Sequence, residues 1–82
     1  MGIHAIVCTE DAQVLLSLAG IRTDWVRTPT AFQQAYTQAS TDSSVAILAV
    51  SEHLLAQLSE HQRLGTQAVI VPLFLEPLPP QP

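Results

Sequence analysis

The chain is expected to fold as one α/β domain, a small flavodoxin-like or Rossmann-like three-layer unit. Its four-stranded parallel sheet should run in the order 2-1-3-4, with helices on both faces. Three observations carry that expectation. Residues 45–50 (Val-Ala-Ile-Leu-Ala-Val) are six apolar positions in a row without alternation, as in a strand covered on both faces at the centre of a parallel sheet. Residues 3–7 form a second apolar run, interrupted only by His4. Between and after these runs lie segments with apolar residues at helical spacing. Strands that alternate with helices through short connections imply right-handed crossovers and parallel pairing.

The run at 45–50 is too short to span a membrane. β-Branched Val45, Ile47 and Val50, with the polar cluster at 40–44 in front of them, favour a strand over a buried helix. After the first strand, Thr9 supplies a capping hydroxyl, and Glu10 and Asp11 face the positive end of a helix dipole. Ala12, Leu15, Leu16 and Ala19 recur at i, i+3, i+4, i+7, and Val14 and Leu18 widen that face. Gly20 stops this first helix, placed at about 11–19, where a left-handed residue is usually needed.

Residues 21–28 interleave Arg22, Asp24 and Arg27 with Ile21, Trp25 and Val26, a pattern that suits a sheet edge. Thr28-Pro29 then reads as a cap followed by proline at the first helical position, and Phe32, Ala35, Tyr36 and Ala39 give one apolar helix face. Gln33, Gln34, Thr37 and Gln38 are expected to face water. Ser51-Glu52 opens a third helix with Leu54, Leu55 and Leu58 inward, ended by Gly65. Residues 68–73 form the fourth strand. Pro72 cannot donate to a ladder, so this strand also belongs at an edge or is ending there. The domain is expected over residues 1–75, with a proline-rich tail at 76–82.

At 82 residues, the chain can bury roughly 60–65% of its unfolded surface. Apolar residues make up 48% and charged residues 12%, which argues against disorder. A net charge of −4, with Arg22, Arg27 and Arg63 as the strong cations and no Lys, leaves little to bind nucleic acid or an anionic membrane. Cys8 is the single cysteine, so no internal disulfide framework is possible. The start Met1-Gly2-Ile3-His4 lacks the pattern of a signal peptide, and a cytoplasmic location is expected.

In a 2-1-3-4 sheet, ligands sit beyond the carboxyl ends of strands 1 and 3, which here carry Cys8-Thr9-Glu10 and Ser51-Glu52. Neither G-x-G-x-x-G nor G-x-x-x-x-G-K follows the first strand, so no phosphate cradle and no nucleotide cofactor are expected. Glu10-Asp11 resembles the acidic pair of phospho-receiver domains. Such a domain also needs an acceptor Asp where this chain has Val50-Ser51 and a Lys after strand 4, and two carboxylates at a helix start explain the pair more simply. Cys8 is either a thiol activated at a helix start or a small buried residue. His53 and His61, eight apart, lack the one-turn spacing of a helical metal pair. His4 reads as a hydrogen-bonded residue of the strand. Trp25 with Arg22 and Arg27 makes a contact anchor of the composition found at interface hot spots, or else Trp25 packs under a helix. The second candidate contact surface is Val71, Leu73 and Phe74, continuing into Leu75.

In residues 3–73 the chain resembles the F subunit of A-type and V-type ATPases, a small rotor component of the central stalk. Glu10-Asp11 followed by Leu16-Ser17-Leu18-Ala19-Gly20-Ile21 is similar to that family's acidic loop and G-F-x-L-A-G-hydrophobic helix end. Val50-Ser51-Glu52 stands where the family usually has I-T-E, and Val69-Ile70-Val71-Pro72 resembles its closing strand. Cys8-Thr9 departs from the usual Gly-Asp, and the sequence ends soon after strand 4, where members commonly continue into a helical segment. The resemblance implies a four-stranded parallel sheet and no catalytic residue. It also implies the coiled-coil rotor shaft of such an ATPase as partner, with coupling of ATP turnover to ion transport at the membrane periphery. The rival readings are a stand-alone receiver-like regulatory or protein-binding module and a small thiol enzyme using Cys8.

Overall fold

The computed structural model describes residues 2–74. Leu75 and the expected tail at 76–82 lie outside the described residues. The elements are β1 (Gly2–Val7), α1 (Glu10–Leu18), β2 (Arg22–Trp25), α2 (Pro29–Thr41), β3 (Val45–Ser51), α3 (Glu52–Leu55), α4 (Glu60–Leu64) and β4 (Val69–Leu73). All pairings are parallel and the sheet order is β2-β1-β3-β4. The two apolar strands are central, and the charged and proline-bearing strands lie at the edges, as their compositions require.

Helix starts follow the side-chain chemistry. Thr9 Oγ1 accepts from the Ala12 amide at 3.3 Å and Thr28 Oγ1 from the Ala31 amide at 3.0 Å, each satisfying a donor that the first turn leaves free. Gly20, at φ +81°, closes α1. The Ile21 amide donates to Leu16 O and the Gly20 amide to Ser17 O, both at 3.0 Å, which is the paired C-terminal pattern that a left-handed glycine permits. Gly2 meets a different constraint: a Cβ there would collide with the carbonyl oxygen of Ser44, beside the register shift between Gly2 and Ile3.

Two buried clusters lie on opposite faces of the sheet. On one face α2, α3 and the segment after α3 cover Ile6, Leu48 and Val50 with Phe32, Tyr36, Leu54 and Leu58. On the other, Ala12 and Leu16 of α1 pack on Ala5, Val7 and Ala49. Removal of each large side chain from water contributes about 1.5–3 kcal/mol, so the first cluster supplies most of the hydrophobic stabilisation.

Three expectations are corrected. The third helix is two short helices: Ser59 caps α4 through a reciprocal pair, its Oγ accepting from the Gln62 amide (3.1 Å) while Gln62 Oε1 accepts from the Ser59 amide (3.0 Å). That capping box starts a new helix where leucine spacing alone suggests continuation. The expected face of α1 is only half used, because Ala12 and Leu16 are buried whereas Val14, Leu15 and Leu18 are exposed. Gln33 does not simply face water; its Nε2 donates to Gln57 O at 3.3 Å, and its Oε1 accepts from Gln62 Nε2 at 2.6 Å, tying α2 to α4.

Candidate functional site

The carboxyl ends of β1 and β3 bring Cys8 and Ser51 together, with Sγ and Oγ 3.5 Å apart. Ser51 is wholly buried and Cys8 half-buried. Glu10 and Asp11 stand exposed in the first turn of α1, where they complement the helix dipole. Ser51 occupies the place of a receiver's phospho-acceptor, and its burial withholds the hydroxyl from a phosphoryl donor. Among the described residues no group of three or more His, Cys, Asp or Glu is placed to hold a metal ion. His53 and His61 belong to separate helices, α3 and α4.

Polar side chains along β1, β2 and the turn before β3 hold the edge strand β2. His4 Nε2 lies 2.7 Å from Asp24 Oδ2 while Nδ1 is buried without a partner. With the proton on Nε2 the ring donates to Asp24 and leaves Nδ1 as a bare lone pair, the less costly group to orphan. The Ser44 hydroxyl and amide donate to Asp42 Oδ1 at 2.7 and 2.9 Å. These bonds, and then Arg22 at 3.9 Å, hold the Asp42 carboxyl below its ordinary range. Sequence reasoning missed the His4–Asp24 pair, because it depends on the register of neighbouring strands. In α2, Tyr36 donates its hydroxyl to Gln62 O at 2.8 Å. Burial raises its pKa above the ordinary tyrosine value, with Arg63 opposing.

The two candidate contact surfaces lie at opposite edges. On β2, Trp25 is half-buried against the α1 cluster and the Arg27 guanidinium lies 4.1 Å from its ring centroid, a cation–π arrangement. Arg22 is exposed beside Asp42. On β4, Val71 is exposed, Leu73 is half-buried against the α1 cluster, and Phe74 is 68% exposed. Leu75 lies outside the described residues. The β4 edge thus leaves more apolar surface in water than the β2 edge, whose tryptophan is half-buried with the Arg27 guanidinium over its ring.

Comparison with known protein families supplies the deciding observation: the family model for the ATP synthase (F/14-kDa) subunit matches residues 5–79. The chain belongs to that family. The match begins within β1 and takes in all the later strands and helices described above, so the family pattern covers the parallel sheet except for residues 2–4. No curated protein and no solved structure matches the chain. Membership of the F/14-kDa family makes the chain a component of a rotary ATPase complex. None of the described helices is long and apolar enough to cross a membrane.

Proposed function

We propose that this F/14-kDa family chain is a non-catalytic component of the central stalk. In this reading it binds the coiled-coil rotor shaft and helps couple ATP turnover to ion transport, on the cytoplasmic side and peripheral to the membrane. The observation that carries the proposal is the family match joined to an uncovered apolar edge: Val71 and Phe74 remain exposed at the end of β4. With three cations in the whole chain, a grip on another protein must be largely apolar and aromatic.

The test is binding to the shaft protein by calorimetry. Phe74→Ala together with Leu75→Ala should weaken binding by about 2 kcal/mol or more while the thermal midpoint hardly changes, because an exposed side chain such as that of Phe74 contributes to association and little to folding. If stability falls as for a core deletion and binding survives in the folded fraction, those side chains are core. The β2 edge with Trp25, Arg22 and Arg27 then becomes the surface to test.

A further inference from the structure

We draw no further inference here: the strongest candidate, the crevice at the carboxyl edge of the sheet lined by Cys8, Trp25, Arg27, Thr28, Leu54 and Gln57, rests on a lone cysteine and the start of α2, and nothing in the structure shows what would fill it.

Discussion

Leu48 is wholly buried in β3, with His4 of β1 and Ile70 of β4 as its register partners. Its side chain sits in the larger cluster with Phe32 and Tyr36. Leu48→Ala should therefore destabilise the domain by about 2–5 kcal/mol, because neighbours fixed on three strands and a helix relax only partly into the space left. Urea unfolding checks this, and a loss below about half a kcal/mol would show that the position is not central. This burial was legible in the sequence, since an apolar run without alternation marks a strand covered on both faces, although Ala46 near its start is exposed. The role of His4 was not. A histidine inside an apolar run signals a satisfied polar group, but Asp24 becomes its partner only when the β1–β2 register is known.

At the scale of elements, the capped starts of α1 and α2 and the glycine stop after α1 were readable from Thr9, Thr28-Pro29 and Gly20. The burial of α1 was not, because periodicity marks an apolar stripe without telling how many strands lie beneath it; here the stripe is wider than the sheet area α1 covers, and Leu15 and Leu18 stay in water. The break between α3 and α4 was present in the sequence as Ser59 and Gln62, although the spacing of Leu54, Leu55 and Leu58 argued for continuity. No residue of α4 is buried, so this five-residue helix depends on its capping box, on the Gln62 side chain donating to Gln33 and on the Tyr36 hydroxyl donating to Gln62 O. Ser59→Ala should cost about 1 kcal/mol. Amide exchange across Glu60–Leu64 should accelerate more than exchange in β1 and β3, as local opening becomes easier without global unfolding. Uniform acceleration across the domain would show instead that α4 belongs to the cooperative core.

For the whole molecule, strand composition carried the topology: apolar strands at the centre, charged and proline-bearing strands outside. The same topology specifies where a nucleotide would bind, at the carboxyl ends of β1 and β3. That place is ill suited to phosphate. The β1–α1 turn has no glycine to let the backbone wrap an oxyanion, and the Thr9 hydroxyl already occupies the Ala12 amide. Glu10 and Asp11 set two carboxylates where phosphate charge would lie, with no Lys in the chain to offset them. Family membership places the chain in a complex that turns over ATP, so the isolated chain tests whether it handles nucleotide itself. Calorimetry should find no ATP affinity tighter than about 1 mM, and the isolated chain should release no phosphate from ATP. Heat of binding at micromolar ATP, lost on substitution at Thr9 or Cys8, would place a nucleotide site at the sheet's carboxyl edge and give the chain a ligand-sensing role within the stalk.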